Sequence, residues 1–208
     1  MTVDIKICGL TTRETVDGSV AAGASHIGFV FFAASPRDIA PDRAFALGRD
    51  IGRVARVGVF VAPDDALLDR AAPALDIIQL HGVDAARVAG VRARYGLPVW
   101  RAAGVASRDD VVAAVTAGGG DRLLFDAKAP TGSALPGGNG VRFDWRLLDG
   151  VDIGRAWGLS GGLDAATVGD AVRYARPPLV DVSSGVEDAP GVKSVSKIKA
   201  FIAAARAA

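Results

Sequence analysis

Cys8 and Asp126 stand at or next to the end of a short apolar run, in VDIKIC and DRLLFDA. A free thiol has a pKa of about 8.5 and becomes a usable base once a helix N-terminus or a nearby cation lowers it. A carboxyl works as an acid near neutrality only where burial raises it well above about 3.9. Two groups pushed in opposite directions make an acid–base pair. Each also has a plainer reading alone: Cys8 as a buried apolar thiol, Asp126 as a helix cap or salt-bridge partner.

Other polar residues stand at comparable positions. Arg37 lies in AASPRDI, His81 closes DIIQLH and Asp181 lies in PLVDVSS. His81 is either a satisfied polar residue at a rim or a donor to a substrate. Gly161 and Gly162 in GLSGGL, with Ser184 and Gly185 in VDVSSGVE, form two turns whose backbone N–H groups can approach phosphate oxygens. A helix N-terminus behind such turns adds favourable partial charge. The alternative is that they are only tight strand-to-helix turns. His26 and His81 lie at opposite ends of their runs, and neither H-x-H nor C-x-x-C occurs, so no metal is expected.

Something must carry these residues to one place. Eight short runs recur at 3–8, 26–32, 56–61, 76–81, 98–103, 121–127, 155–160 and 178–184. Most are continuous apolar runs without alternation, as parallel strands covered on both faces require. Ala-rich amphipathic segments separate them. TTRETVDGSVAAG opens on capping threonines and ends at Gly23, and Pro73 predicts an early end to the segment after the third run. The spacing is about 26 residues per unit, within the roughly 25–30 of one strand–helix pair. No linker divides the chain. The expected fold is a single-domain (β/α)8 TIM barrel over residues 1–208, with an open doubly wound sheet as the rival. The G-x-G-x-x-G and Walker A fingerprints of nucleotide-binding sheets are absent. In a barrel, Cys8, Arg37, His81, Asp126 and both glycine turns converge on the C-terminal mouth, and turns after strands seven and eight are where barrels commonly hold phosphate.

Composition narrows the partners. Twenty-four basic residues against 23 acidic ones, interspersed, form no basic stripe, so nucleic acid is not expected. The longest strongly apolar stretch, IGFVFFAA, is too short to span a bilayer, and MTVDIKIC does not read as a secretory signal. One cysteine excludes an intrachain disulfide and suits a reducing compartment, so the expected location is cytoplasmic. The expected partner is a small phosphorylated molecule, and a monomer is favoured over a dimer. The Gly- and Pro-rich segment 128–145 reads either as a surface loop or as a mobile cover over the mouth.

The motifs KICGLT (6–11), GFVFFAASPR (28–37), QLHG (79–82), LFDAK (124–128), GGNGVRFDW (137–145), LSGGL (159–163) and VDVSSGVE (180–187) run through nearly the whole chain. Together they resemble the phosphoribosylanthranilate isomerases of tryptophan biosynthesis. Asp38 departs from that pattern, which often has an aromatic residue there. The resemblance implies an Amadori rearrangement of N-(5-phospho-β-D-ribosyl)anthranilate without cofactor. It further implies Asp126 as general acid, Cys8 as general base and Arg37 as partner of the anthranilate carboxylate. Asp181 would face the ribose hydroxyls and the two glycine turns the phosphate. Two rivals remain at this stage. The sugar isomerase of histidine biosynthesis uses aspartate at both catalytic positions, and Cys8 argues against it. A non-catalytic phosphometabolite-binding barrel would not need the Cys8–Asp126 pair.

Overall fold

The computed structural model describes residues 3–129, 132, 137 and 141–208. Eight parallel strands form in chain order: Asp4–Cys8 (β1), His26–Phe31 (β2), Ala55–Val61 (β3), Ile77–His81 (β4), Val99–Val105 (β5), Arg122–Ala127 (β6), Trp157–Leu159 (β7) and Leu179–Val182 (β8). Each hydrogen-bonds to the next, and β8 pairs with β1 to close a barrel. The closed barrel, and not the open sheet, is the fold. A short antiparallel hairpin, Glu187–Ala189 (β9) and Val192–Lys193 (β10), follows β8.

Helices pack outside. Arg13–Ala22 (α1) follows β1, Pro41–Leu47 (α2) follows β2, Asp65–Ala71 (α3) follows β3, and Ala85–Tyr95 (α4) follows β4. Arg108–Ala117 (α5) follows β5, Val168–Ala175 (α6) follows β7, and Val195–Arg206 (α7) ends the chain. Local chemistry sets several boundaries. The Thr12 hydroxyl accepts from Thr15 N at the start of α1, and Gly23, at φ 95°, ends it in the left-handed conformation that glycine tolerates best. Ser107 and Asp110 form a reciprocal capping box on α5. α3 stops at Ala71, two residues before Pro73, and a 3-10 turn covers Ala72–Ala74.

The structure corrects some expected detail. Residues 41–47, unread as a helix, form α2 with proline at its first position, where the missing N–H costs nothing. β7 is only Trp157–Leu159, shorter than the run 155–160. After β6 the described residues form a 3-10 turn, Trp145–Leu148, in place of an α-helix. Residues 130–131, 133–136 and 138–140 of the segment read as a candidate cover lie outside the described residues. Among the described residues no helix is long and apolar enough to cross a membrane.

Two apolar layers hold the barrel. Between sheet and helices lie fully buried residues such as Ile5, Ile7, Phe29, Phe60, Phe125 and Phe201. Each such side chain contributes about 1.5–3 kcal/mol by burial. A second cluster fills the inside, including Val57, Val59, Ile77, Trp100, Leu124 and Leu179. At the N-terminal end His26 packs against Trp100 at 5.1 Å between ring centroids, and the Arg122 guanidinium lies 5.0 Å over the same indole. The apolar plug therefore fills the lower barrel, while polar side chains from β1, β4, β6 and β8 point into its upper half.

Candidate active site

A cavity of about 800 Å³, counting its open mouth, sits at the C-terminal ends of the strands. Cys8, Arg37, His81, Asp126, Gly161, Gly162, Asp181 and Ser184 all line it. Gly185 does not; it packs against the Leu163 carbonyl and the Asp164 Cα so closely that a Cβ would not fit. It thus joins the turn after β8 to the turn after β7.

Asp126 leaves β6 into the cavity and is buried. Two glycines make room for its carboxyl. A Cβ on Gly161 would lie 3.0 Å from Oδ1, and one on Gly137 would lie 2.5 Å from Oδ2. Burial, with the repulsion of Asp181, pushes this carboxyl up to about 7, against the opposing pull of the Ala127 N–H and of Lys6. An acid poised there can hold a proton at neutral pH and release it to a substrate.

Cys8 ends β1, three strands from β6 by way of β8 and β7. Its main-chain neighbour across β1–β2 is Gly28, whose missing side chain leaves space for Sγ: a Cβ there would lie 3.0 Å from the sulfur. The Gly28 carbonyl also accepts from Gly9 N and Leu10 N at 2.9 and 3.0 Å, fixing how the chain leaves the strand. Burial, the largest cause, leaves the thiol above its ordinary value; Asp181 adds to this while the charges of Lys6 and Lys193 pull it down, so Cys8 and Asp126 are both raised and not pushed in opposite directions as expected.

Lys6 is the residue that the sequence did not single out. It is 0% exposed, and its Nζ donates to Asp181 Oδ1 at 3.0 Å. The two are main-chain partners across the β1–β8 seam. Asp181 accepts from Ser160 Oγ through its other oxygen at 3.4 Å. Lysine in a strand ordinarily marks an edge or surface, and its partner lies 175 residues away, so sequence alone carries no signal for the pair.

Arg37, buried beside the cavity, meets Glu187 in a bidentate pair: Nε to Oε1 at 2.7 Å and Nη2 to Oε2 at 2.9 Å. Glu187 also accepts from Lys193 Nζ at 2.6 Å and from Gly191 N at 3.2 Å. Lys193 Nζ donates in turn to Ser183 O and Oγ, and Ser183 Oγ donates to the Cys8 carbonyl at 3.3 Å. The hairpin β9–β10 thereby ties the Arg37 side of the cavity to the β1 exit. Glu187 and Lys193 were both missed from sequence; only their place in or near VDVSSGVE could have drawn attention.

On β4, His81 Nε2 and Gln79 Nε2 lie 3.0 Å apart. Burial pulls His81 down to about 4, so the ring is neutral at pH 7 and accepts from the amide through Nε2. Gln79 Oε1 is buried with no hydrogen-bond partner among the described residues. His81 therefore faces the cavity as a neutral group, leaving Nδ1 as its N–H.

The two glycine turns are brought together as expected. Gly161 and Gly162 have φ of 85° and 64°, conformations that favour glycine. A Cβ on Gly162 would lie 2.6 Å from Val141 O and 2.7 Å from Arg142 Cα. Ser184 begins a 3-10 turn, Ser184–Val186, directly after β8. α6 begins only at Val168, several residues beyond Gly162. Backbone N–H groups of the turns, rather than that helix's terminus, would have to meet an anion here.

The family model described as N-(5'-phosphoribosyl)anthranilate (PRA) isomerase matches residues 5–204. The N-(5'-phosphoribosyl)anthranilate isomerase of Paracoccus denitrificans is 52% identical, the match covering 100% of this chain and 99% of that one. The crystal structure of phosphoribosyl anthranilate isomerase from Thermotoga maritima superposes with a TM-score of 0.87 at 37% identity, covering 100% of both chains. A phosphoribosyl anthranilate isomerase crystallised with reduced 1-(o-carboxyphenylamino)-1-deoxyribulose 5-phosphate is 35% identical, with a TM-score of 0.85 and 100% of both chains covered. With the family model matching nearly end to end and a relative sharing half its residues over its full length, this chain belongs to the N-(5'-phosphoribosyl)anthranilate isomerase family.

Proposed function

We propose that this protein is an N-(5'-phosphoribosyl)anthranilate isomerase. It converts N-(5-phospho-β-D-ribosyl)anthranilate into 1-(2-carboxyphenylamino)-1-deoxy-D-ribulose 5-phosphate, the third step from chorismate in tryptophan biosynthesis. The observation that carries the reading is the placement of the buried Asp126 carboxyl and the Cys8 thiol in one cavity at the barrel mouth.

The reaction needs a proton donor and a proton acceptor on one sugar. Asp126, protonated, gives its proton to the furanose ring oxygen; the C1–O bond breaks and the anthranilate nitrogen supplies electrons to form an iminium ion. Cys8, as thiolate, removes the proton from C2, and those electrons neutralise the iminium to give an enolamine. The enol loses its O–H proton as C1 gains one, and the ketone results with no net change in atoms. The iminium cation itself favours a thiolate beside it, which helps offset the burial of Cys8. Arg37 pairs with the anthranilate carboxylate, a task that suits a planar guanidinium already oriented by Glu187. Gly161, Gly162 and Ser184 hold the phosphate, with Gly185 joining their two turns, while Asp181 faces the ribose hydroxyls and neutral His81 lines the sugar. Binding energy from the phosphate end positions the sugar between acid and base.

The test is direct. Anthranilate fluorescence of the substrate disappears as it is consumed, and purified protein should abolish it catalytically. Binding without loss of fluorescence would make the barrel a binding module. Turnover of the histidine-pathway aminoaldose phosphate alone would equally sink the reading.

A further inference from the structure

We propose that Lys6 is a positioning residue for the base: its buried ammonium, clamped by Asp181, is the counter-charge that makes the Cys8 sulfur available as a thiolate. This inference rests on the reading of Cys8 as the base.

The geometry is set by β1 and its two neighbours. Lys6 and Cys8 are two residues apart on one strand, so both point into the barrel, one level apart. Gly28 on β2 provides the space they share. A Cβ there would lie 3.0 Å from Cys8 Sγ and 3.3 Å from Lys6 Cε, so one added carbon would touch both side chains. On the other side, Asp181 of β8 stands level with Lys6 and accepts from its Nζ at 3.0 Å.

The fold has no need of an ion pair at this point. Removing two charges from water is costly, and apolar residues of similar volume commonly serve as well or better. The barrel interior directly below is filled by such residues, Val57, Ile77 and Leu179 among them. The charge nevertheless sits one level below the thiol, where it has work to do. Other groups also face the sulfur or its surroundings. Asp126 comes from β6, neutral His81 from β4, Asp181 from β8 and Lys193 from β10, while Arg37 lies beyond β2 and neutral His26 is level with Lys6 on β2. Arg37 and Lys193 are both engaged by Glu187. Of the charges acting on Cys8, Lys6 acts most strongly, ahead of Asp181 and then Lys193.

Lys6 does not itself exchange a proton with the substrate. Burial works against its ammonium, but the charges of Asp181 and Cys8 hold its pKa above the ordinary value. When Cys8 takes the C2 proton and becomes a neutral thiol, Asp181 still balances the ammonium. The pair is therefore a fixed charge against which the sulfur cycles between thiolate and thiol.

Cys8 is the only cysteine in the chain, so its titration can be read without background. The experiment is the pH dependence of alkylation by iodoacetamide, run on wild type, Lys6→Met, Asp181→Asn and the charge-balanced Lys6→Met/Asp181→Asn. Lys6→Met should raise the alkylation midpoint by about one pH unit or more, a tenfold loss of thiolate at neutral pH, and lower kcat in proportion with KM little changed. Asp181→Asn should move the midpoint the opposite way. The double variant should lie above wild type, since Lys6 outweighs Asp181, and it leaves no buried charge unpaired if Lys6→Met alone does not fold. An unchanged midpoint in whichever of these folds, or the same direction in both single variants, would overturn the proposal. Failure of both lysine variants to fold would also overturn it, by assigning the pair to stability. Cys8→Ala separates the two readings: wild-type turnover there removes Cys8 as base, while the alkylation midpoints still report on Lys6.

Discussion

Arg37 and Glu187, 150 residues apart, share two hydrogen bonds of 2.7 and 2.9 Å, so the hairpin after β8 fixes the plane of a guanidinium that follows β2. Bidentate pairing gives direction as well as energy. Arg37 is the group assigned to the substrate carboxylate, so its orientation is part of the binding site.

Glu187→Gln is expected to keep one of those hydrogen bonds and lose the charge. KM should rise by about tenfold, equal to roughly 1.4 kcal/mol, with a smaller effect on kcat. The same change strips Lys193 of its buried carboxylate partner and should cost about 1–3 kcal/mol of stability. Steady-state kinetics and denaturant unfolding read the two effects separately. An unchanged KM would detach Arg37's orientation from substrate binding.

Asp126 carries a pH signature of its own. As general acid it must be protonated, so kcat/KM should fall as pH rises through about 7. Asp126→Asn removes the donor and should lower kcat by roughly 10²–10⁴. The stability contribution follows the same direction in pH. A folded-state pKa raised to about 7 means that the folded chain binds the proton more tightly than the unfolded one. That contribution is fully present below about pH 4 and is lost as pH rises through 7, on the order of 4 kcal/mol. Asn carries no such penalty, so Asp126→Asn should gain stability relative to wild type at pH 8 compared with pH 4. Thermal unfolding at the two pH values checks this, and parallel shifts at both would count against the raised pKa.

The architecture was legible because parallel strands covered on both faces read as apolar runs and recur at a fixed interval. The residues at the strand exits were legible for the same reason: Cys8, His81 and Asp126 follow directly from where the runs end, while Asp181, inside the last run, came only from the family resemblance. What escaped was everything that depends on closure. Lys6 sits inside a run and looks like an interruption until β8 pairs with β1 and brings Asp181 level with it. Glu187 and Lys193 belong to a hairpin too short to leave a periodic signal, and their meaning comes from Arg37 far upstream. α2 was missed because its seven residues are too few to show helical periodicity. Gly28 likewise reads as a weak point in a strand until the neighbouring sulfur is seen beside it.

Gly28→Ala isolates that last relationship. The substitution adds one carbon at 3.0 Å from Cys8 Sγ and 3.1 Å from the Cys8 Cα, with Lys6 Cε at 3.3 Å. Gly28 does not have a left-handed backbone, so alanine meets no conformational penalty and the effect is one of space. The thiol must turn or β1 must shift by a few tenths of an ångström, at a stability cost of about 1–3 kcal/mol. The sugar's C2 then no longer lies in line with the sulfur, and small misplacements of a reacting group can cost on the order of 10²-fold in rate. The expected result is a folded protein whose kcat falls by about ten- to a hundredfold. KM should change far less, because Arg37 and the phosphate turns lie on other strands. Circular dichroism with steady-state kinetics checks it. A folded variant with wild-type kcat would mean that the position of Cys8 tolerates displacement, which a direct proton transfer from C2 does not.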